Sequence, residues 1–319
     1  MAWVQKYESG LYDRWGNTCT VKFYKDGWTG SITTLLGTGE PVEFNFQNDS
    51  DGLFSPMKPT MAKFSLEILS NFLLTEFLSA GNMDFYVECF IGDDSSQVIP
   101  FWTGYIDPSQ YEEPYDVPPC AITITCVDGL IYLEDIPYAE EDSAGDTEYY
   151  SGRRLESQII LDILAKIGYT EFEEYINIYE DRMQASISSS VLDQTKLDVL
   201  VFEEKKCMDV LKEILSSYNA CISQEEGIFH IFRPTELINE TVYGRYFTGA
   251  STKTPITLTP IQYINRTATH SSNLRQVPGG RVMGQAAVKK ITINQDYGYK
   301  ESWISNWEFK AETFTPDGS

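Results

Sequence analysis

Short segments with alternating apolar and polar side chains run through the first 138 residues and limit the folds open to this chain. The segments VEFNFQ (42–47), AKFSLEIL (62–69) and FYVECFI (85–91) place an apolar residue at every second position. A period of two is typical of strands that bury one face. Several short strands with turn residues between them predict a β-barrel or a β-sandwich.

Composition and turn signals agree with a β-rich first half. Aromatic residues make up 13% of the chain, with 20 Tyr and 17 Phe, and aromatic side chains favour strands. In VKFYKDGWTGSIT (21–33), Asp26-Gly27 stands between two strand-like arms. An Asp-Gly pair in that position predicts a hairpin between the two arms.

The segment from 101 to 138 predicts a second hairpin, one that closes a small barrel. Residues 101–106 form its first strand, in which Gly104 allows a bulge or a close backbone approach. A loop rich in proline and acid precedes the returning strand, AITITCV (121–127), which leads into Asp128-Gly129. We expect this turn to redirect the chain so that Leu130 and Leu133 close the core.

A small α/β region follows a loop at 139–152, AEEDSAGDTEYYSG. LESQIILDILAKIGY (155–169) carries apolar residues on one helical face, and Gly168 follows where a helix C-cap belongs. KKCMDVLKEILSSY (205–218) predicts a second helix, and ACISQEEGIFHIFRP after it predicts a hairpin with Glu226-Gly227 at its turn.

These patterns predict a mainly β fold with an α/β insertion, an α+β class with barrel-like β domains. We expect a β-barrel domain over 1–140, an α/β domain over 141–240 and a second β domain over 241–300. The last segment, 301–319, is aromatic-rich, and we expect it to be a tail or the start of a further module of a longer native protein.

The charge of the chain is large and unevenly placed. The formal net charge is −23, and residues 64–152 hold 18 Asp or Glu and no Lys or Arg. Residues 251–310 hold eight basic and three acidic residues. An acidic chain without clustered basic residues lacks the usual means of binding phosphates, so we expect no specific nucleic-acid binding.

The residues that carry chemistry in enzymes are sparse. The six Cys form no CxxC pair, and Cys120 and Cys126 lie too far apart on one strand to bridge, so neither a zinc site nor a disulfide framework is expected. His230 lies between apolar residues and is read as structural, and His270 has no nucleophile motif near it.

Acidic pairs such as Glu112-Glu113 stand in polar, turn-like surroundings and are read as solvated surface. Asp49 and Asp51 resemble part of a calcium loop, but no Glu follows at the required spacing. We expect no enzyme activity, no metal and no cofactor. The first ten residues, MAWVQKYESG, lack the apolar run of a signal peptide, so we expect no export by a classical signal. No stretch has the length and apolarity of a membrane span, so no stable membrane insertion is expected.

The order of these segments resembles the tail-hub proteins of long-tailed phages and of contractile injection systems. A strand with the G-x-I step at 104–106, a returning strand and D-G-L-x-x-L at 128–133 are similar to the hub barrel. The helix ending Ile167-Gly168-Tyr169 and the segment CMDVLKEILSSYNACISQEEGIFHIFRP are similar to the inserted α/β domain of that family. FYVECFI followed by FWTGYI also resembles tail proteins of phages with Bacteroides-type hosts.

The resemblance covers about residues 10 to 240 and implies a structural role. Hubs are homotrimers whose barrels form a pseudo-hexameric ring around a DNA channel. It implies a virion protein of the phage tail tip, made in the host cytoplasm, that takes part in DNA ejection. The implied partners are a tail tube or distal tail protein and other baseplate, fibre or tape-measure proteins.

Two sets of residues are candidates for that role. Glu112, Glu113 and Asp116 are predicted to line the channel with negative charge. Aromatic anchors of subunit interfaces are predicted at four positions, Trp102, Tyr105, Trp303 and Trp307. Asp128, Gly129 and Gly104 are predicted as the structural turn.

Three other functions fit parts of the pattern. A ring-forming distal-tail or adaptor protein shares the β-rich start but has less use for the α/β region. A carbohydrate-binding tail adhesin would use exposed Trp residues to stack sugars. A cell-wall enzyme would require a catalytic acid that the sequence does not single out.

Overall fold

The computed structural model describes residues 2–12, 18–46, 55–68, 75–77, 80–91, 99–112, 114, 116–141, 147–249 and 252–259. Over these ranges the protein is mainly β, with a closed barrel, a five-stranded sheet, two short ribbons and two α-helices. The expectation of a mainly β fold with a barrel is confirmed.

Seven strands form the closed barrel in the spatial order β1-β2-β5-β6-β7-β4-β3. Their bounds are β1 (Trp3–Tyr12), β2 (Thr18–Asp26), β3 (Thr33–Phe46), β4 (Thr60–Ile68), β5 (Phe85–Ile91), β6 (Trp102–Ile106) and β7 (Cys120–Val127). Neighbouring strands are antiparallel except β1 and β3, whose parallel pairing closes the barrel.

Alternation along the strands fills the barrel. β4 switches between buried and half-buried positions along its whole length, so that Ala62, Phe64, Leu66 and Ile68 all point inward. Phe64 meets Phe23 of β2 edge to face, with ring centroids 6.0 Å apart. The period of two in the sequence therefore identified the inward face correctly.

The hairpin expected at Asp26-Gly27 is wrong. β2 and β3 do not pair with each other, because β1 lies between them and pairs with both. Gly27 turns the chain with a φ of +66° and donates its backbone N–H to the carbonyl of Ala2 at 3.2 Å. An Asp-Gly turn fixes local geometry, but the choice of neighbouring strand depends on the closure of the whole barrel.

The hairpin expected at 101–127 is confirmed, since β6 and β7 pair antiparallel within the barrel. The expectation that Leu130 and Leu133 close the barrel core is wrong. Both side chains are fully buried, but they belong to a second core formed with the helices that follow. Gly129 therefore marks the point at which the chain leaves one core and enters the other.

Two short ribbons and two helices follow the barrel. The ribbons pair β8 (Ala139–Glu141) with β9 (Thr147–Tyr149) and β10 (Arg153–Leu155) with β12 (Lys196–Asp198). The helices are α1 (Glu156–Ala165) and α2 (Cys207–Ser217). Both lie where the helical spacing predicted them, and Gly168 has the left-handed φ of +84° that the predicted cap requires. In the described ranges, neither helix has the length and apolarity to cross a membrane.

A five-stranded sheet completes the second core in the order β13-β14-β11-β15-β16. Its strands are β11 (Glu171–Tyr175), β13 (Cys221–Glu225), β14 (Ile228–Phe232), β15 (Val242–Thr248) and β16 (Lys253–Leu258). β13 and β14 form the predicted hairpin, and Glu226 and Gly227 both have positive φ at its turn. Buried residues of α1 and α2 belong to the same core as Phe172, Phe229, Ile231 and Phe247 of the sheet.

The domain boundary expected at 240 is wrong for the strands that follow it. β15 and β16 pair in the same sheet as β11, so both strands belong to the α/β region. Backbone pairing between distant segments decides this membership, and local sequence pattern carries little information about it. The remainder of the expected 241–300 domain and the segment 301–319 lie outside the described residues.

Candidate functional site: the junction between the barrel and the α/β region

Asp128 is the centre of the junction. It directly follows β7, and its carboxylate is fully buried. It accepts hydrogen bonds from the Thr60 backbone N–H at 2.6 Å, from the Thr60 hydroxyl at 2.9 Å and from the Leu130 N–H at 3.0 Å. Burial raises the pKa of this carboxyl from 3.8 to about 6, although the hydrogen bonds from Thr60 and Leu130 act to lower it. Asp128 thus fastens the end of β7 to the start of β4.

Trp102 extends this network into the barrel. Its indole Nε1 donates to the Thr60 hydroxyl at 2.9 Å, and its ring packs near Phe64 and Phe44. Gly104 makes room for it, because a Cβ at that position would lie 2.3 Å from the Val127 carbonyl oxygen and 2.4 Å from the Trp102 ring. The close backbone approach predicted at Gly104 is confirmed.

Tyr105 joins β6 to the end of α1. Its hydroxyl donates to the carbonyl of Ile167 at 2.8 Å. A Cβ on Gly168 would lie only 2.6 Å from that hydroxyl oxygen, so Gly168 serves both the helix cap and this contact. Gly129 has a φ of +92° and faces Ile167 and Tyr105. The predicted structural turn is therefore packed against the first helix of the α/β region.

Gln224 makes the third connection, which sequence reasoning missed. Its side-chain oxygen accepts from the Thr103 N–H at 2.9 Å, and its amide donates to the Thr103 carbonyl at 2.8 Å and to the Tyr169 hydroxyl at 3.0 Å. The Gln224 amide thus pairs with the backbone of β6 as a neighbouring strand would. A Gln beside two Glu residues has no feature in the sequence that separates it from a surface residue.

Trp102 and Tyr105 are not interface aromatics on the surface of the chain. Each retains only 3% of its exposure, and each packs inside the protein. The prediction that they anchor a neighbouring subunit is wrong, because strand β6 is covered by the barrel on one face and by the α/β region on the other. Trp303 and Trp307 lie outside the described residues.

Two of the three residues predicted to line a channel with negative charge lie in the described part of the chain, and both are exposed. Glu112 and Asp116 lie on the loop between β6 and β7, and both are exposed. Glu112 makes an isolated antiparallel bridge with Thr123, and Asp116 accepts a hydrogen bond from the Val117 N–H at 2.8 Å. Glu113 lies outside the described residues. Among the described residues, the side chains of Glu112 and Asp116 are exposed and can face a partner or solvent.

A buried ion pair holds the segment from 176 to 190, and sequence reasoning missed it too. Arg245 of β15 lies 3.6 Å from the carboxylate of Glu174, and both side chains are buried. Arg245 also donates to the carbonyls of Ile176, Ser186 and Ile187 at 3.1–3.2 Å. Burial raises the pKa of Glu174 to about 7, although the charge of Arg245 acts to lower it. Arg245 and Glu174 thus hold the connection between β11 and β12 against the sheet.

His230 has structural contacts on both ring nitrogens. Its Nδ1 lies 3.1 Å from the carboxylate of Glu173, and its Nε2 lies 3.0 Å from the Glu225 carbonyl. Burial acts to lower the pKa of His230, but the hydrogen bonds with Glu173 and the Glu225 carbonyl and the charges of both carboxylates together outweigh it, so the pKa is raised. His270 is outside the described residues. In the part of the chain that the structure describes, no group of three or more His, Cys, Asp or Glu could hold a metal ion.

The geometry of the junction is that of a structural joint. Its polar side chains bond mostly to backbone atoms and hydroxyls of neighbouring elements, and its glycines permit contacts too close for any side chain. Such a site holds two cores in one fixed relation. No protein-family model matches the chain, and no curated protein matches its sequence.

Proposed function

We propose that the protein is a structural component of a phage virion, the hub at the tail tip that joins the tail tube to baseplate or fibre components. The observation that carries the proposal is the junction itself. A closed barrel is followed by D-G-L-x-x-L and docks on an α/β region through Tyr105 and Gln224. This is the element order implied by the resemblance to tail hubs, and a rigid joint suits a part that transmits position between neighbours.

The distribution of charge supports a place beside the DNA path. Residues 64–152 hold acidic side chains and no basic ones, and Glu112 and Asp116 are exposed on one loop of this stretch. An acidic surface repels phosphate and lets DNA pass without binding. The proposal therefore includes a trimer in which this loop faces the central channel.

Exposed apolar side chains at one end of the barrel support contact with a second copy of the chain. Phe46, Ile99 and Phe101 are 63%, 63% and 45% exposed. Phe101 packs against Phe44 with ring centroids 5.1 Å apart, and Phe46 pairs with Thr60 at the strand end beside Trp102. Large apolar side chains clustered at a surface are typical of subunit interfaces.

The native mass tests the proposal. Light scattering of the purified chain over a range of concentrations should give a trimer of about 109 kDa, three times the 36.3 kDa of one chain. A monomer at every concentration counts against the trimeric hub, and a hexamer favours the distal-tail ring. Electron microscopy of the trimer then tests the lining, which is wrong if Glu112 and Asp116 face away from the axis.

A further inference from the structure

Two cysteine side chains meet inside the barrel. The sulfur atoms of Cys19 on β2 and Cys89 on β5 lie 3.3 Å apart, within hydrogen-bonding contact. The strands are neighbours in register, with Val21 opposite Cys89 and Cys19 opposite Ile91. The two cysteines are therefore diagonal partners on the inward face of an antiparallel pair, a position in which side chains can touch.

We propose that Cys19 and Cys89 are a modification site, a thiol pair that a small two-electron oxidant converts into a disulfide across β2 and β5. Their sulfur atoms need to approach by little more than 1 Å to reach the bonded distance of about 2.05 Å. The inference does not depend on the proposed function, because it rests on two side chains within one barrel.

The chemistry balances with hydrogen peroxide as the oxidant. The Cys19 thiolate attacks one peroxide oxygen, which gives the sulfenic acid and releases hydroxide. The Cys89 sulfur then attacks the Cys19 sulfur and displaces the sulfenic oxygen as water. Two thiols and one peroxide thus give one disulfide and two waters. Cys19 is the point of entry because it retains 8% exposure near the start of β2, whereas Cys89 is fully buried.

The surroundings make the pair slow to oxidise. The hydrogen bond with Cys19, together with burial, raises the pKa of the Cys89 thiol well above its usual range. Since the thiolate is the reactive form, the second step should accelerate as the pH rises. A solution with excess thiol should therefore keep both cysteines reduced. In a solution with peroxide, the Cys19–Cys89 disulfide should form over hours.

The other cysteines have different surroundings and provide controls. Cys207 directs its thiol toward the carbonyl of Pro137 at 3.5 Å. Cys120 and Cys126 are both on β7, too far apart along the strand to bridge each other. None of the six cysteines forms a disulfide in this structure.

The experiment is a thiol count on the full native chain. The protein is incubated with hydrogen peroxide at pH 8, quenched, denatured and labelled with a maleimide. We expect the labelled thiols to fall from six to four, and a reductant to restore six. Six labelled thiols after incubation overturn the proposal, and so does a sulfinic acid at Cys19 without a cross-link.

The position of the cross-link is decided by peptide mapping. Trypsin leaves Cys89, Cys120 and Cys126 on one peptide, because residues 64–152 contain no Lys or Arg. Further cleavage after Glu88 and Glu112 by a glutamyl endopeptidase separates Cys89 from the other two. The proposal requires the peptide that begins at residue 89 to be linked to the tryptic peptide WGNTCTVK. Any other linkage refutes it.

Matched variants complete the test. In Cys19→Ser the five remaining thiols should all stay labelled, whereas in the control Cys207→Ser they should fall from five to three. Cys89→Ala should behave like Cys19→Ser. If Cys89→Ala does not fold, the peptide map of the wild-type cross-link and the thiol count of Cys19→Ser still test the proposal. Loss of two thiols in Cys19→Ser contradicts it.

Discussion

At the scale of single residues, the barrel and the α/β region contain buried carboxyl groups whose pKa values are raised above the ordinary range. Glu156, the first residue of α1, is 3% exposed and accepts a hydrogen bond of 2.5 Å from the Tyr218 hydroxyl. Burial raises its pKa from 4.5 to about 7, although the Tyr218 hydroxyl acts to lower it. Asp128 and Glu174 are shifted in the same direction.

The shift at Glu156 predicts a pH-dependent stability. Between pH 4.5 and 7 the folded protein holds a proton at Glu156 that the unfolded chain has released, so the free energy of unfolding falls as the pH rises through this window. The loss amounts to about 3 kcal/mol at most. In Glu156→Gln this contribution is absent. The free energy of unfolding of the variant should therefore fall less than that of wild type between pH 5 and pH 8.

Urea unfolding at pH 5 and pH 8 measures this effect. The comparison with wild type removes the contributions of the other carboxyls, which both proteins share. The control is Glu203→Gln at an exposed position, which should follow the wild-type curve. Equal pH dependence in wild type and Glu156→Gln would mean that Glu156 is already ionised in the folded protein.

Gln224 is the second residue whose contribution can be measured alone. Gln224→Ala leaves the Thr103 N–H and carbonyl and the Tyr169 hydroxyl without this partner inside the protein. The Tyr169 hydroxyl keeps its hydrogen bond with the Thr103 hydroxyl, so two backbone groups are left unpaired. Each buried unpaired group costs about 1–3 kcal/mol, so we expect a loss of about 2–6 kcal/mol. Gln110→Ala, at an exposed position, should change stability by less than about 0.5 kcal/mol. Similar unfolding midpoints for the two variants would contradict the role of Gln224 in the junction.

At the scale of elements, strand β6 is the part on which the junction depends most. Its five residues are all buried, and it pairs with both β5 and β7. Gly104→Ala would place a methyl group 2.3 Å from the Val127 carbonyl oxygen, which forces β6 and β7 apart. We expect a loss of about 3 kcal/mol or more.

A second strand glycine provides the matched control. Gly10 lies on β1, and a Cβ built there meets nothing within 4 Å. Gly10→Ala should therefore leave stability within about 1 kcal/mol of wild type. Chemical unfolding of both variants measures the difference. If both substitutions lower the free energy of unfolding by the same amount, the close approach at Gly104 does not limit the packing of β6.

At the scale of the whole molecule, the proposed hub requires copies of the chain to meet. If the exposed apolar end of the barrel forms that contact, the double variant Phe46→Ser/Phe101→Ser should shift the light-scattering mass from the trimer toward the monomer. Leu200→Ser removes an apolar side chain of similar exposure, 54%, in the α/β region and should leave the trimer intact. A trimer that persists in the double variant would place the contact elsewhere on the chain.

The sequence by itself determined the local structure. Period-two segments identified barrel strands, helical spacing identified α1 and α2, and the turn glycines at 168 and 227 were read correctly, because each of these features depends on neighbours close in the chain. Asp128 was recognised as a turn residue, but its three hydrogen bonds at the junction could not be deduced from its neighbours in the sequence.

The tertiary structure alone decided which segments meet. It placed β1 between β2 and β3, moved Leu130 into the second core, enclosed Trp102 and Tyr105, and joined β15 to the sheet of the α/β region. It also brought Gln224 to β6 across 121 positions and Cys19 to Cys89 across 70. These contacts depend on barrel closure and on the packing of one core against another. Both are properties of the whole chain, so a pattern within a short window does not encode them.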